Sequence, residues 1–243
     1  MYNFRLLIMV TGLILFSACT GPRQATHPVK LRPIEHPEPD TESRWESLVT
    51  PNLSHVVTNH DMWVMEDGIL HAPHERAEGE ERGQRNLWTK EIYGDFILDF
   101  DFKMAKGGNS GVFLRNSDME NWLHNSIEIQ LKDSYEIEEV DKGDCGAIYD
   151  LKEPRKNLMN PPGEWNHMTI LAVDSYIMVI LNGEIASTAN LSRWTEARMN
   201  PDGTENKFNK PMAEMPRKGR IGLQYHGHPD QVWFRNIWIR PLD

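Results

Sequence analysis

The chain has 243 residues and a formal net charge of −10 at pH 7, and 39% of its residues are hydrophobic, which is ordinary globular composition. This negative balance offers no electrostatic footprint for phosphate backbones, so no nucleic-acid partner is expected. Two cysteines cannot form the disulfide framework of a small secreted scaffold.

Residues 1–18 have the order of a bacterial export signal. Arg5 precedes an apolar run over 6–16, which is shorter than the roughly 20 residues that a membrane-spanning helix needs. The Ser-Ala-Cys sequence that ends at Cys19 resembles a lipoprotein cleavage box, so we expect Cys19 to be lipidated. Acyl chains on this residue would anchor the protein to a membrane of the bacterial cell envelope, facing the periplasm or the surface. A plain signal peptide cut just before Cys19 is the alternative.

Residues 19–44 are proline-rich and lack apolar periodicity, which predicts an extended tether. A single folded domain is expected over 45–241. Within it, Cys145 lies next to Asp144, and an acidic neighbour disfavours a reactive thiolate. We therefore expect Cys145 to be structural.

The folded part has the pattern of β-strands separated by short turns. Residues 95–104 alternate apolar and polar side chains, which is typical of an antiparallel strand with one buried face. The pairs Asp67-Gly68 and Asn182-Gly183 predict hairpin turns. Further strands are predicted over residues 111–115, 126–132, 168–173, 177–181, 184–187, 220–226 and 231–240.

Strands at intervals of about ten residues predict an all-β jelly-roll sandwich. Residues 191–199 are the single stretch for which one or two helical turns are expected. Residues 72–85 and 200–218 are long and polar, and long loops of this kind often carry specificity.

Three of the predicted strands carry unusual polar side chains on the face that alternation turns away from the core. If these strands belong to one sheet, those side chains line a single concave surface. They are Glu128, Gln130, Lys132, Gln224, His226 and Arg115. An ordinary solvated sheet face is the simpler explanation for any one strand. Histidine and arginine among the six favour a binding or catalytic surface.

Other candidates lie near these strands. Tyr149 is a secondary site candidate, and Asp133 joins the site if its strand ends just before it. Trp122 and Trp194 lie in polar segments and are candidates for stacking on a sugar ring, whereas Trp165 is expected in the core.

No metal motif is evident, and the identity of any metal stays open. The histidines at 226 and 228 and those at 71 and 74 lack the spacing of a zinc site. The acidic loop 141–144 has oxygen ligands suited to calcium, but an exposed acidic loop explains it equally well.

A laminarinase-type glycoside hydrolase is one alternative for such a sandwich. Retaining hydrolysis needs two carboxylates about 5–5.5 Å apart. The alternate neighbours of Glu128 on its strand are Gln130 and Lys132, neither of which is a carboxylate, and this weakens the alternative.

Several segments, taken in order, resemble the 3-keto-disaccharide hydrolase domain family over about residues 45–240. They are 108–115, 127–133, 146–150, 163–166, 181–183, 219–227 and 234–237. The resemblance implies a concanavalin A-like jelly-roll sandwich of two antiparallel sheets. It also implies cleavage of glycosides whose sugar carries a ketone at carbon 3.

A 3-ketone acidifies the proton on carbon 2, so the reaction requires one base, a group that stabilises the enolate oxygen and a donor to the leaving group. We expect Glu128 or His226 to be the base, with the other as proton donor or orienting partner. Arg115 is expected to stabilise negative charge. Substrate contacts are expected from Gln130, Gln224, Tyr149, Lys132, Asp133 and Trp122.

The sequence requires no organic cofactor, and a divalent ion that polarises the ketone would also fit. No nucleotide-binding fingerprint is present, so a separate sugar 3-oxidoreductase is expected to supply the substrate. A non-catalytic carbohydrate-binding module of the same fold is the alternative from another functional class.

Overall fold

In a computed structural model, thirteen β-strands form the framework of the described part of the chain. The described residues are 44–58, 62–74, 85–229 and 231–242. The predicted export signal, Cys19 and the tether up to residue 43 lie outside them. The strands are β1 Glu46–Ser47, β2 Val56–Val57, β3 Val64–Glu66, β4 Ile69–His71, β5 Leu87–Thr89, β6 Phe96–Met104, β7 Asn109–Asn116, β8 Ile127–Lys132, β9 Trp165–Val173, β10 Tyr176–Leu181, β11 Glu184–Asn190, β12 Arg220–Leu223 and β13 Val232–Pro241.

The strands form two antiparallel sheets, which confirms the predicted all-β sandwich. The larger sheet has the order β11-β10-β9-β6-β13-β4-β3, and β1 also pairs with β13. The smaller sheet has the order β2-β5-β12-β7-β8. The three strands predicted to carry the site, β7, β8 and β12, are therefore neighbours in the smaller sheet.

A single apolar core contains side chains from the inner faces of both sheets. Phe96, Leu98 and Phe100 of β6 and Ile127 and Ile129 of β8 belong to it. The apolar side chains whose alternation with polar ones predicted these strands are thus the side chains that face the core. Within the described residues, no helix has both the length and the apolar character needed to cross a membrane.

Local turn chemistry follows the sequence closely. Asp67 and Gly68 both have positive φ, of 50° and 75°, as a tight hairpin turn requires. One or two helical turns were predicted over residues 191–199, and the structure has one 3-10 turn there, Leu191–Arg193. The short strands β1, β2 and β5 were not predicted, because two or three residues are too few to show a period.

The structure contradicts the predicted positions of Trp165 and Trp194 and shows that Cys145 is buried, as expected of a structural cysteine. Trp165 is half-buried on the outer face of the larger sheet, where the guanidinium of Arg235 lies 4.0 Å from its ring centre. Trp194 is packed in the core, and its indole Nε1 donates to Asn200. Cys145 is buried, and burial raises the pKa of its thiol to about 12.

A cluster of charged side chains, His167, Asp99 and Asp101, lies on the outer face of the larger sheet. His167 Nδ1 lies 2.9 Å from Asp101 Oδ1, and its Nε2 lies 3.2 Å from Asp99 Oδ2. Burial alone would lower the pKa of His167, but hydrogen bonds to Asp101 and Asp99 outweigh it and raise the pKa to about 9. His167 is therefore a cation in the folded protein at neutral pH.

We expect this cluster to make the stability of the fold depend on pH. Because the folded-state pKa of His167 lies above its ordinary value of 6.5, its contribution is complete below about pH 6.5 and is lost as pH rises through about 9. The contribution is about 2–3 kcal/mol, measured as the change in free energy of urea unfolding across that range. His167→Gln should flatten this part of the profile, and an unchanged slope in the variant would contradict the assignment.

Candidate active site

The outward face of the smaller sheet carries the polar side chains that alternation predicts. Glu128 on β8 is opposite Phe113 on β7, and Gln130 is opposite Gly111. On the other side of β7, the backbone N–H of Gln224 donates to the Gly111 carbonyl. Three adjacent strand segments therefore bring Glu128, Gln130 and Gln224 onto one surface.

Loops border this surface, and one of them pairs with β8 through the backbone. The backbone of Tyr149 donates to the Glu128 carbonyl, and Gln130 exchanges backbone hydrogen bonds with the loop at 146–147. The result is a cavity of about 220 Å³. Its described lining residues are Asn109, Trp122, Leu123, Glu128, Gln130, Tyr149, Lys207, Gln224, Tyr225 and His226. Six residues predicted for the site, Glu128, Gln130, Gln224, His226, Tyr149 and Trp122, are among them.

Glu128 is the buried carboxylate of the cavity, with 6% of its surface exposed. Its Oε2 lies 3.1 Å from Lys207 Nζ, and its Oε1 accepts a hydrogen bond of 3.2 Å from Gln224 Nε2. Burial raises the pKa of Glu128 above its ordinary value, and Lys207 and Gln224 offset part of that rise. A buried carboxylate with a raised pKa is suited to proton transfer near neutral pH.

The absence of a side chain at Gly111 leaves space for the Glu128 carboxylate. A Cβ atom at position 111 would lie 2.7 Å from Glu128 Oε1, which is closer than real contacts of this kind. Glycine is therefore needed here because of the close approach of a side chain, and not because of its backbone angles.

Three amides present free acceptors to the cavity. The side-chain nitrogens of Gln224 and Gln130 donate to the Glu128 carboxylate and to the Gly143 carbonyl, which leaves their oxygens as acceptors. Asn109 Nδ2 lies 3.1 Å from His226 Nε2. Within the described residues, the buried amide oxygens of Asn109, Gln130 and Gln224 have no hydrogen-bond partner. Unpaired buried acceptors of this kind suit a ligand rich in hydroxyl groups.

Aromatic rings complete the walls. Trp122 packs against Phe113 with ring centres 4.9 Å apart, and Phe113 in turn stacks on Trp88 at 5.4 Å. Lys207 Nζ lies 3.9 Å from the centre of the Tyr149 ring, which fixes the ammonium beside Glu128. The half-buried Trp122 thus offers an apolar platform, as predicted for a sugar ring.

The predicted place of Arg115 in the site is wrong. Two residues, Leu114 and Arg115, oppose the single residue Ile221 at a β-bulge, and Arg115 has a positive φ of 53°. The bulge turns its side chain away from the outward face. Its fully buried guanidinium donates to the carbonyls of Gly94 and Asp174 and to Asp95.

Lys132 and Asp133 also fall outside the described cavity lining. Lys132 Nζ lies 3.0 Å from Asp144 Oδ1, and Asp133 Oδ2 accepts a hydrogen bond from the backbone of Gly107. Both side chains contact adjacent loops and neither lines the cavity, which differs from their predicted place in the site.

Four cavity residues were not predicted: Lys207, Asn109, Leu123 and Tyr225. Lys207 belongs to the long loop 200–218, which was expected to carry specificity but has no motif that singles out one residue. Asn109 is the first residue of β7, and alternation from Gly111 would have placed it on the same face.

The described residues contain no group of three or more His, Cys, Asp or Glu side chains arranged to hold a metal ion. Glu128 is the one carboxylate among the described residues that line the cavity. The paired carboxylates that the laminarinase alternative needs are thus not found in this part of the lining.

Two comparisons identify the family and a relative of this chain. The model of the 3-keto-alpha-glucoside-1,2-lyase-like domain matches residues 40–240. A 3-keto-disaccharide hydrolase from Bacteroides thetaiotaomicron is 26% identical over 208 residues, which are 74% of this chain and 70% of that protein.

Solved structures show the same fold. The crystal structure of a candidate glycosyl hydrolase from Parabacteroides distasonis is 39% identical, with a TM-score of 0.73, and the match covers 82% of this chain and 99% of that one. A second candidate glycosyl hydrolase from the same organism is 23% identical, with a TM-score of 0.61 over 79% of this chain and 90% of that one.

Proposed function

The chain belongs to the family of 3-keto-α-glucoside-1,2-lyase-like domains, and from this premise we propose that it is a carbohydrate-acting enzyme that cleaves 3-keto-glycosides, including 3-keto-disaccharides. The observation that carries the proposal is the contact between the Glu128 carboxylate and the Lys207 ammonium inside a cavity rich in amide acceptors. The relative named as a 3-keto-disaccharide hydrolase supports the same substrate class.

The proposed reaction begins with removal of the proton on carbon 2. The electron pair of that C–H bond moves toward carbon 3 and places negative charge on the ketone oxygen, which gives an enolate. Collapse of the enolate breaks the bond between carbon 1 and the leaving oxygen, and the leaving oxygen takes up a proton. Water then adds at carbon 1 of the resulting enone to give the free 3-keto sugar.

The Glu128–Lys207 pair suits the first step because its two groups address neighbouring substrate atoms. A carboxylate and an ammonium 3.1 Å apart can meet a C2–H bond and the adjacent C3 oxygen at the same time. Glu128 then acts as the base, and Lys207 stabilises the enolate, which is the role that the sequence had suggested for Arg115. A fixed cation at a developing oxyanion contributes about 10²–10³ in rate.

The other side chains of the cavity take the remaining roles. His226 protonates the leaving oxygen, with Asn109 holding its ring at 3.1 Å. Gln130 and Gln224 accept hydrogen bonds from sugar hydroxyls, and Trp122 packs on the face of the ring. A divalent ion on the ketone is a second possible source of enolate stabilisation and is included in the test below.

The test compares release of aglycone by the full chain from a 3-keto-glucoside and from its unoxidised parent, each with and without EDTA. We expect release from the keto sugar alone. Deuterium at carbon 2 of the substrate should slow the reaction by a primary isotope effect, because the C2 bond is broken in the proposed step.

Release from the unoxidised parent at an equal rate would contradict the proposal and favour an ordinary glycoside hydrolase. Binding of glycans without release from either sugar would favour the binding-module alternative. Release without an isotope effect would favour direct hydrolysis. Sensitivity to EDTA would assign the enolate stabilisation to a metal ion instead of Lys207.

Two cellular proposals accompany this activity. The substrate requires an upstream oxidation of a glycoside hydroxyl to a ketone, which a separate sugar 3-oxidoreductase would carry out. We also propose that lipidation of Cys19 holds the enzyme at the bacterial cell envelope. Recovery of a Cys19→Ser variant in the membrane fraction to the same extent as the parent would contradict this anchor.

A further inference from the structure

Basic side chains gather around the 3-10 turn that borders the cavity, although the chain as a whole carries a net charge of −10. They are His124, Arg198, Lys207 and Lys210, and we call this group the basic rim. His124 ends the 3-10 turn Trp122–His124, whose first two residues line the cavity. The basic rim is therefore continuous with the candidate active site.

The loop that carries Lys207 brings the other two cations to the same place. The backbone of Arg198 pairs with Asn206 and Phe208, the two neighbours of Lys207 in sequence. Lys210 Nζ donates to the side chain of Asn125, the residue that follows His124. Direct contacts thus connect the loop to the turn at the cavity mouth.

Within the described residues, two of the three Lys and Arg side chains of the basic rim have no acidic partner. Lys207 is paired with Glu128, but neither Arg198 nor Lys210 forms an ion pair with any carboxylate in the described parts of the chain. Burial, followed by the charges of Lys207, Arg198 and Lys210, lowers the pKa of His124. Its buried Nδ1 has no hydrogen-bond partner among the described residues. Two cations without an acidic partner beside an unpaired ring nitrogen suit an anionic ligand.

A neighbouring cleft has the reverse charge. Beyond Tyr149, which borders both spaces, lies a cleft of about 510 Å³. Its charged lining residues are Asp141, Asp150, Glu153 and Lys142, a net negative set. An anionic ligand is therefore favoured beside the basic rim and disfavoured in this cleft.

We propose that the basic rim binds an anionic group, a carboxylate, sulfate or phosphate, on the aglycone of the 3-keto-glycoside. This inference rests on the proposed function, because that function places the keto sugar beside Glu128 and Lys207. A cavity of about 220 Å³ is smaller than the range of about 300–1,000 Å³ that encloses a drug-sized ligand. One sugar ring therefore fills it, and the aglycone extends to the mouth, where the basic rim lies.

The experiment measures selectivity for charge on otherwise matched substrates. The full chain is given the 3-keto-glucosides of 4-hydroxybenzoate and of 4-hydroxybenzamide, which have similar shapes but differ by one negative charge. Further substrates with 4-sulfophenyl and 4-phosphophenyl aglycones distinguish the three anions. We expect kcat/KM to be higher for the carboxylate than for the amide at low ionic strength, and the ratio to fall as salt is added.

The double variant Arg198→Gln, Lys210→Gln should lower the ratio of anionic to neutral kcat/KM about tenfold. The matched control is Lys218→Gln, an exposed cation that lies before the start of β12 and outside the basic rim, and it should leave the ratio unchanged. Titration calorimetry adds a readout that needs no catalysis, in which 4-hydroxybenzoate binds wild type more tightly than 4-hydroxybenzamide does and the double variant loses this difference.

A selectivity ratio that is equal in wild type and the double variant would overturn the anion site. So would equal binding of the two free aglycones to wild type. If no 3-keto-glucoside is cleaved but the calorimetric difference is present and lost in the double variant, the proposed reaction fails while the anion site stands.

Discussion

Glu128→Gln is expected to lower kcat/KM for a 3-keto-glucoside by about 10²–10⁴, the usual contribution of a positioned general base. The amide has the size of the carboxylate, and its one oxygen can still accept from Lys207 or Gln224, but it cannot accept the proton of carbon 2. Because Gly111 leaves room for a side chain of this shape, the fold should be retained. Steady-state release of aglycone measures the loss.

The pH profile gives an independent check on the same residue. Burial raises the pKa of Glu128, and the base acts only when ionised, so activity should fall as pH drops through a value above its ordinary 4.5. Lys207 lowers that pKa, so Lys207→Met should move the acidic limb to higher pH and also reduce kcat.

Glu164→Gln is the matched control, since Glu164 is exposed and lies outside the cavity lining. It should have no effect on kcat/KM or on the pH profile. Near-normal activity in Glu128→Gln would eliminate Glu128 as the base and leave His226 as the remaining candidate. An acidic limb that does not move in Lys207→Met would contradict the coupling between the two groups.

Arg115→Met is expected to destabilise the fold by about 3 kcal/mol without a matching loss of catalysis by the folded protein. Arg115 lies on the smaller sheet, whereas its partners lie just beyond strand ends of the larger one, Gly94 and Asp95 before β6 and Asp174 after β9. Methionine fills a similar volume but removes every donor, which leaves Asp95 without its ion pair and two carbonyls without partners. Urea unfolding measures the change.

Arg235→Met is the control for the loss of an arginine. The side chain of Arg235 is 39% exposed, and its partner Asp101 retains His167, so the expected loss is below about 1 kcal/mol. A large fall in kcat for Arg115→Met with unchanged stability would instead restore the catalytic role that the sequence suggested.

The sequence by itself determined the sheets and much of the cavity. A period of two over residues 95–104 and 127–132 reports which side chains face the core, because successive side chains in a strand point to opposite faces. The same period placed Glu128 with Gln130, and Gln224 with His226, and the structure brings all four into one cavity. The face on which each side chain lies is a local property of a regular strand, and it does not depend on where that strand packs.

Only the tertiary structure decided where Arg115 and Lys207 lie. The bulge opposite Ile221 depends on the register between β7 and β12, which are separated by more than a hundred residues, and it reverses the face on which Arg115 lies. Lys207 reaches Glu128 from a loop 79 residues away in sequence. A loop has no period from which the direction of a side chain can be inferred, so the cation of the site was identified only when the fold closed that loop over the sheet.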